Sequence, residues 1–214
     1  MTSASLRLRH VRDRIARAAK AAGRDPADIT LIAVSKTRSV DEIAELIAAG
    51  QRDFGESRVQ EAAEKWPALK QAHPEIGLHM IGQLQSNKAA DAAAVFDSVH
   101  SLDRPNLLEA LVRANYANPC FVQVNIGDEA QKGGVALPEL EAFTAAVRNS
   151  PVRLAGLMAI PPLETQPGPY FALLAKLARR HDVNGLSMGM SADYETAVML
   201  GATHVRVGSA LFED

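Results

Sequence analysis

Eight short apolar runs, each followed by a stretch of helical periodicity, set the strongest constraint on the fold of this chain. The runs occupy residues 30–36, 52–57, 78–82, 96–102, 120–126, 152–158, 185–189 and 204–208. Strands that alternate with helices predict a parallel sheet. Eight such units are the number that closes a (β/α)8 TIM barrel, so we expect this α/β fold. An open, doubly wound sheet is the alternative.

No linker-like stretch or composition break divides the 214 residues. We therefore expect a single domain over residues 1–214. Residues 1–24 carry seven Lys or Arg against one acid, and Leu8, Val11 and Ile15 recur at helical spacing. This pattern predicts an N-terminal amphipathic helix, packed on the barrel, with a solvated basic face. The alternatives are a transit peptide or a nucleic-acid-binding arm, but the scarcity of aromatic residues argues against nucleic acid as a partner.

Composition and motif content argue against several other classes of protein. No apolar run approaches the roughly 20 residues that span a bilayer, so we expect no membrane partner. The single cysteine, Cys120, excludes an internal disulfide and indicates a reducing compartment, which we expect to be the cytoplasm. The six histidines lack metal-ligand spacing, and the chain has neither a G-x-G-x-x-G motif nor a P-loop.

Two basic residues lie on the strands that closure of the barrel would bring together. Lys36 is at the end of the first predicted strand, on the same side as Ile32 and Val34, and Arg206 lies within the eighth. If both point inward, two cations share one end of the barrel, and their repulsion together with burial favours a neutral amine. A neutral lysine is what Schiff-base chemistry requires.

Small residues follow the seventh and eighth strands, where (β/α)8 folds often hold phosphate. The loops read SMGMS (187–191) and GSA (208–210). We expect Ser191 to be the N-cap of the next helix, Gly208 to let the backbone approach a ligand, and Ser209 to add a hydroxyl. The pattern predicts a phosphate cradle beside the lysine and the arginine.

Each of these features also has a purely structural interpretation. A lysine at a strand end is commonly a solvated charge, and an arginine within a strand is commonly ion-paired. Glu56 or Asp53 is a candidate partner for Arg206. Gly-Ser turns are common, so it is the coincidence of these residues at one barrel mouth that favours a ligand site.

Seven motifs cover nearly the whole chain: AVSKTRSVDEI (33–43), DFGESRVQE (53–61), HMIGQLQSNK (79–88), HSLDR (100–104), QVNIGDEAQKGG (123–134), GLMAIP (156–161) and LSMGMSADYETAVMLGATHVRVGSALF (186–212). Together they resemble the pyridoxal phosphate homeostasis protein family. The resemblance implies a single-domain barrel like the N-terminal domain of alanine racemase, with pyridoxal 5′-phosphate as its cofactor. One departure is Ser57, which stands where the family usually has asparagine.

The resemblance also implies a role for each candidate site residue. Lys36 would be the Schiff-base lysine, and Arg206 would face the pyridine nitrogen of the cofactor. Ser191, Gly208 and Ser209 would hold the phosphate. Because an arginine does not give up its proton, the ring nitrogen would stay unprotonated and the cofactor would be a poor electron sink.

By the same resemblance, we expect a carrier or buffer of the cofactor without established catalysis, whose recipients are apo forms of pyridoxal-dependent enzymes. A pyridoxal-dependent racemase is the alternative, but it needs a base on each face of the substrate carbon. Lys36 serves one face, and Tyr194 is the tyrosine expected nearest the mouth. In alanine racemase the second base comes from a partner subunit, in an assembly with a separate C-terminal domain. Because this chain ends just after the eighth unit, we expect a monomer.

Two minor expectations concern the same mouth. A Schiff-base sugar-phosphate aldolase is a third functional class, but no additional acid or base is evident near Lys36 within the first strand. The QKGG loop (131–134) follows the fifth strand, and its paired glycines indicate a flexible loop that could act as a lid. Lys132 in this loop is the other lysine to test for attachment of the cofactor.

Overall fold

The computed structural model describes residues 2–129 and 131–213, which form a closed barrel of eight parallel strands. The strands are β1 (Thr30–Val34), β2 (Asp53–Glu56), β3 (Gly77–Met80), β4 (Ser98–Leu102), β5 (Pro119–Gln123), β6 (Arg153–Met158), β7 (Gly185–Ser187) and β8 (His204–Val207). Each strand pairs in parallel with the next, and β8 pairs with β1. This closure confirms the predicted TIM barrel and excludes the open sheet.

Helices follow the strands and surround the barrel. The α-helices are α1 (Ser3–Ala21), α2 (Val40–Ala48), α3 (Val59–Ala72), α4 (Ala89–Val95), α5 (Pro105–Arg113), α6 (Leu140–Arg148), α7 (Gly168–Arg180), α8 (Tyr194–Met199) and α9 (Ser209–Phe212). Short 3₁₀ helices occupy Pro26–Asp28, Ser86–Lys88 and Leu137–Glu139. Within the described part of the chain, none of the helices is long and apolar enough to cross a membrane.

The main apolar core lies between the barrel wall and these helices. Phe54 on β2 and Trp66 on α3 are fully buried, with ring centroids 5.1 Å apart. Ile43 and Leu46 of α2 are also fully buried, as the periodicity of that helix predicts. Full burial of each such side chain stabilises the fold by roughly 1.5–3 kcal/mol, so the core fixes the helices against the strands that carry the site.

The N-terminal helix α1 packs against α8 and α9 on the outside of the last barrel units. Leu8, Val11 and Ile15 lie on its buried face, in agreement with their spacing in the sequence. Its basic residues lie at the surface, where Arg14 forms an ion pair with Glu195 of α8. The helix therefore covers the elements that follow β7 and β8.

Pro67 lies inside α3, although a proline within a helix commonly ends or kinks it. Its ring removes the N–H group that would donate to the carbonyl of Ala63, one turn earlier. Both residues are exposed, so water can reach that carbonyl. The loss of one solvated hydrogen bond does not stop the helix, which continues to Ala72.

Candidate functional site

The carboxyl ends of β1 and β8 lie side by side, which places Lys36 and Arg206 at neighbouring strands. Ile32 lies opposite Arg206 in the register of the two strands. However, β1 ends at Val34, so the prediction that Lys36 belongs to the strand is wrong. Lys36 lies in the turn that follows and is exposed. Its amine is therefore accessible from solvent at the carboxyl-terminal mouth of the barrel.

Hydrogen bonds hold the turn on both sides of Lys36. The N–H of Thr37, whose φ is 63°, donates to Glu61 Oε1 at 2.6 Å. Lys65 Nζ donates to the carbonyl of Ser35 at 3.0 Å and to Glu61 at 2.8 Å. Burial opposes ionisation of Glu61, but the hydrogen bonds from Lys65 and Thr37 outweigh it and hold its pKa below the usual value. One face of α3 thus sets the backbone around Lys36.

A buried carboxylate, Glu56, supports the same turn from behind. Its Oε1 accepts hydrogen bonds from Ser35 Oγ at 2.8 Å and Trp66 Nε1 at 3.1 Å, and it forms an ion pair with Lys65 at 2.8 Å. Its Oε2 makes no hydrogen bond to any described residue. This network is not among the features predicted from the sequence, although the four-residue spacing of Glu61 and Lys65 is a signal for part of it.

Arg206 is buried inside the barrel, where it is 4% exposed. Its guanidinium donates to Ser187 O and Oγ at 3.0 and 2.6 Å, and to Ala159 O at 3.2 Å. Of the two carboxylates considered as partners, Glu56 forms an ion pair with Lys65, and Asp53 contacts the His79 ring. Burial lowers the pKa of Arg206 to about 10, so it remains a cation at neutral pH. Three of its five N–H groups are used, which leaves two for another acceptor.

Residues of the predicted phosphate cradle meet where the loops after β7 and β8 converge. Ser191 Oγ accepts a hydrogen bond from the N–H of Gly208 at 3.1 Å, and Ser209 follows directly as the first residue of α9. The prediction that Ser191 caps the helix is wrong, because α8 begins at Tyr194 and Asp193 occupies the N-cap position. Ser191 is therefore turned to the β8 loop, beside the other two residues of the cradle.

The turn after β7 requires glycine at position 189. Gly189 has a φ of 93°, and an added Cβ would lie 2.6 Å from the Cβ of Ala197. Its carbonyl accepts a hydrogen bond from the backbone N–H of Arg206 at 3.0 Å. The turn therefore brings α8 close to the strand that carries Arg206 and fixes the path of the loop to Ser191.

Tyr194 does not lie at the mouth, contrary to the expectation from the sequence. It is 1% exposed and packs beneath α1, where the Arg14 guanidinium carbon lies 5.5 Å from the centroid of its ring. Within residues 2–129 and 131–213 its hydroxyl has no hydrogen-bond partner. Burial raises the pKa of this hydroxyl. Tyr194 is consequently not placed to exchange a proton with a ligand at the mouth.

The 131–134 loop is attached at several points. Lys132 forms an ion pair with Glu129 at 2.6 Å and donates to the carbonyl of Pro161 at 3.4 Å. Just beyond the loop, the N–H of Val135 donates to the carbonyl of Gln123 on β5 at 2.8 Å. These contacts connect the loop to β5 and to the segment after β6, and its action as a lid stays a prediction.

Comparison with known proteins shows the family to which the chain belongs. A family model described as the alanine racemase N-terminal domain matches residues 6–214. The pyridoxal phosphate homeostasis protein of Escherichia coli (strain K12) is 42% identical over 226 residues, which cover 96% of this chain and 94% of that protein. Its counterpart in Pseudomonas aeruginosa is 42% identical over 223 residues, with 99% and 96% covered. The chain belongs to the pyridoxal phosphate homeostasis protein family.

Solved structures extend the comparison from sequence to fold. PipY of Synechococcus elongatus, whose structure contains bound pyridoxal phosphate, is 37% identical, with a TM-score of 0.81 and coverage of 92% of this chain and 99% of that chain. Alanine racemase of Bartonella henselae is 15% identical with a TM-score of 0.72, and 58% of its chain is covered. This member of the homeostasis family thus corresponds to nearly all of PipY, whereas it shares only the fold with the racemase.

Ser57, where the resemblance to the homeostasis family implies an asparagine, lies at the same mouth. It lines a cavity of about 650 Å³ together with Arg58, Gln83 and Arg104. Its backbone packs closely on Gly82, where an added Cβ would lie 2.3 Å from the Ser57 carbonyl oxygen. Nothing in the structure explains the replacement of the amide by a hydroxyl.

Proposed function

We propose that this protein binds pyridoxal 5′-phosphate at the carboxyl-terminal mouth of its barrel and acts in homeostasis of the cofactor, as a carrier or buffer. The observation that carries the proposal is the burial of the Arg206 cation and the nature of its hydrogen-bond acceptors. It is a buried cation that contacts carbonyls and a hydroxyl but no described carboxylate, and two of its N–H groups remain for an acceptor. An uncharged ring nitrogen is an acceptor that fits such a donor.

Each candidate residue has a part in holding the cofactor. Lys36 is exposed at the mouth, where its amine can bind an aldehyde through a Schiff base. Ser191 and Ser209 supply hydroxyls for the phosphate, and the Gly208 N–H orients Ser191. When bound, the cofactor supplies a reactive aldehyde and an electron-withdrawing ring. Arg206 donates a hydrogen bond without giving up its proton, since its pKa of about 10 lies above neutral pH.

We also infer that the protein does not turn over amino acids. Racemisation requires a proton donor and a proton acceptor on opposite faces of the substrate carbon. Tyr194, the tyrosine expected nearest the mouth, is buried beneath α1. An arginine opposite the ring nitrogen also favours a weak electron sink over a strong one. Both features support storage of the cofactor rather than its use in catalysis.

The proposal extends to the setting in which the carrier works. Residues 1–214 form one domain, with residues 1–24 packed on the barrel, and the protein acts as a cytoplasmic monomer that supplies apo-enzymes. The buried, unpaired thiol of Cys120 supports a reducing compartment. Sedimentation of the purified protein with and without pyridoxal phosphate tests the monomer, and transfer to an apo-transaminase tests the supply.

Borohydride reduction tests the cofactor and its lysine together. The purified protein is incubated with pyridoxal phosphate, reduced, digested and mapped by mass spectrometry. We expect one pyridoxyl adduct, on Lys36, and loss of the visible absorbance band in Lys36→Ala. Lys132→Ala is the matched control, because Lys132 is the other lysine predicted near the mouth, and it should keep both signals. An adduct on Lys132 alone, or no adduct, would contradict the proposal.

A second experiment separates the carrier from an enzyme. Several amino acids are incubated with the loaded protein in deuterated water, and incorporation of deuterium at the α-carbon is followed by mass spectrometry. A carrier gives no exchange beyond that of free pyridoxal phosphate. Rapid exchange that Lys36→Ala abolishes would identify a pyridoxal-dependent enzyme, for which a racemase is the first candidate.

A further inference from the structure

Five polar side chains form a continuous hydrogen-bonded chain through the interior of the barrel. Arg206 donates through its NH1 to Ser187 Oγ at 2.6 Å, and Ser187 Oγ lies 2.8 Å from His100 Nδ1. His100 Nε2 lies 3.0 Å from His79 Nδ1. His79 Nε2 lies 3.1 Å from Asp53 Oδ1. The five residues belong to five different strands, so only closure of the barrel brings them together.

The chain runs from the ligand side of the barrel to its opposite end. His100 and Ser187 are fully buried in the middle. Asp53 is the first residue of β2, and its side chain is 38% exposed. It lines a cavity of about 500 Å³ at the amino-terminal mouth, together with His79 and His204. A buried cation near the proposed cofactor site is thus connected to an anion at the far end of the barrel.

When both histidines are neutral, the chemistry of the two ends fixes the direction of every hydrogen bond between them. A guanidinium only donates and a carboxylate only accepts. Asp53 therefore accepts from the Nε2–H of His79, which leaves Nδ1 of that ring as an acceptor. His100 then donates its Nε2–H to His79 and accepts at Nδ1 from the hydroxyl of Ser187. Ser187 Oγ in turn accepts from Arg206. This arrangement satisfies all four contacts with both histidines neutral, whereas a protonated His79 would reverse the two hydrogen bonds of His100.

The surroundings of the His100 ring favour its neutral form. Burial, with added repulsion from His79, His204 and Arg206, lowers the pKa of His100 well below its usual value. Phe121 stacks on His100 with the ring centroids 4.3 Å apart, and it also contacts His204 edge to face. Protonation of His100 would turn Nδ1 into a donor, so that it could no longer accept the hydrogen bond from the Ser187 hydroxyl.

We propose that Ser187, His100, His79 and Asp53 are positioning residues, which hold the Arg206 guanidinium in one orientation so that its remaining N–H groups point to the cofactor ring. Without the Ser187 hydroxyl, one N–H of a buried cation loses its acceptor, and only the carbonyls of Ser187 and Ala159 still orient the guanidinium. The proposal rests on the proposed function for its ligand, while the hydrogen-bond pattern itself can be tested without any ligand.

The first experiment measures the histidine tautomers. The whole protein is labelled with ¹⁵N-histidine and studied by two-bond ¹H–¹⁵N correlation at neutral pH, with signals assigned from His79→Gln and His100→Gln. We expect both rings to be neutral with the proton on Nε2. In Ser187→Ala, the Nδ1 signal of His100 should shift because its donor is lost. A His100 that carries its proton on Nδ1, or protons on both nitrogens, would contradict the proposed direction of the hydrogen bonds from Arg206 to Asp53.

The second experiment measures the affinity for pyridoxal phosphate from the visible absorbance and its spectrum. Loss of a hydrogen bond to a charged group predicts about tenfold weaker binding in Ser187→Ala, with a changed absorbance maximum. Ser98→Ala is the matched control. Ser98 is also buried on a barrel strand, lines the cavity that contains His79, and its hydroxyl bonds to no described residue. This variant should bind like the wild type.

The outcomes separate the two proposals. Equal affinity and spectra of the wild type and Ser187→Ala would overturn the positioning role while leaving the proposed function intact. Equal weakening by Ser187→Ala and Ser98→Ala would show a general effect of the cavity and would also overturn it. A wild type that fails to bind pyridoxal phosphate would refute the proposed function, and the positioning role would fall with it.

Discussion

Replacement of Lys65 by methionine should destabilise the protein far more than an ordinary loss of an ion pair. Lys65 Nζ lies 2.8 Å from a Glu56 oxygen, and the Glu56 side chain is 0% exposed. Removal of one partner from a buried ion pair costs about 3–5 kcal/mol, because the other charge stays buried without compensation. Ser35 and Trp66 still donate to Glu56, so we expect a loss near the lower limit, about 3 kcal/mol.

The measurement is the free energy of unfolding from urea titration at neutral pH, supported by thermal denaturation followed by circular dichroism. For a domain of this size, about 3 kcal/mol corresponds to a decrease in Tm of about 6–12 °C. Lys70→Met is the matched control, on the same helix and with the same change. Lys70 forms an ion pair with Asp97 at 2.7 Å, but the two side chains are 28% and 47% exposed. A surface pair of this kind contributes no more than about 1 kcal/mol.

A double variant separates the charge of Glu56 from other effects of the substitution. Glu56→Gln combined with Lys65→Met removes both charges and should be more stable than Lys65→Met alone, since no buried charge is then unpaired. Equal losses in Lys65→Met and Lys70→Met would refute the reasoning, because burial of Glu56 would then have no energetic consequence. A double variant no more stable than Lys65→Met would show that the Lys65 contacts to backbone carbonyls dominate instead.

Three further predictions follow from buried titratable groups. Tyr194→Phe should change the free energy of unfolding by less than about 0.5 kcal/mol and leave cofactor binding intact, because the lost hydroxyl has no described partner; weaker binding would return Tyr194 to the site. Burial raises the pKa of Cys120 to about 12, so a thiol reagent at pH 8 should react with the unfolded chain and not with the native protein; rapid native labelling would contradict this burial. Burial lowers the pKa of His204 from 6.5 to about 4, so its neutral form contributes stability at pH values above 6.5. As the pH falls from about 6.5 to about 4, the free energy of unfolding should decrease by up to about 3 kcal/mol. In His204→Asn, urea unfolding curves measured over this pH range should lack that decrease.

The fold could be predicted from the sequence because hydrophobic periodicity and the number of strand–helix units can be read without knowledge of tertiary contacts. Each of the eight apolar runs overlaps a strand of the structure, and their number favoured a closed barrel. Closure in turn predicted that Arg206 and Lys36 would come together from opposite ends of the chain. The details failed where a prediction depended on the last residue of an element. The alternation of apolar residues predicts that Lys36 ends the first strand, but the strand ends two residues earlier, at Val34.

The parts of the site that the sequence could not reveal depend on tertiary contacts between side chains. Ser191 has the residue type of an N-cap, yet its hydroxyl accepts from Gly208 in a loop that is distant in sequence. Glu56 is a polar residue in a strand, and its pairing with Lys65 rather than Arg206 depends on which way β2 faces α3. Propensity and spacing do not contain that information, because the competing partners are all of plausible charge and distance.

The indirect compensation of Arg206 has a functional consequence that a direct ion pair would not allow. A carboxylate in contact with the guanidinium would form bidentate hydrogen bonds and occupy two N–H groups. It would also neutralise the cation beside the ligand and compete with a weak acceptor such as a ring nitrogen. In the proposed chain, three groups separate Asp53 from Arg206. Asp193, whose charge raises the pKa of Arg206, is not among the described acceptors of its N–H groups. The cation is thereby satisfied by carbonyls and one oriented hydroxyl, while its remaining donors stay free for the cofactor.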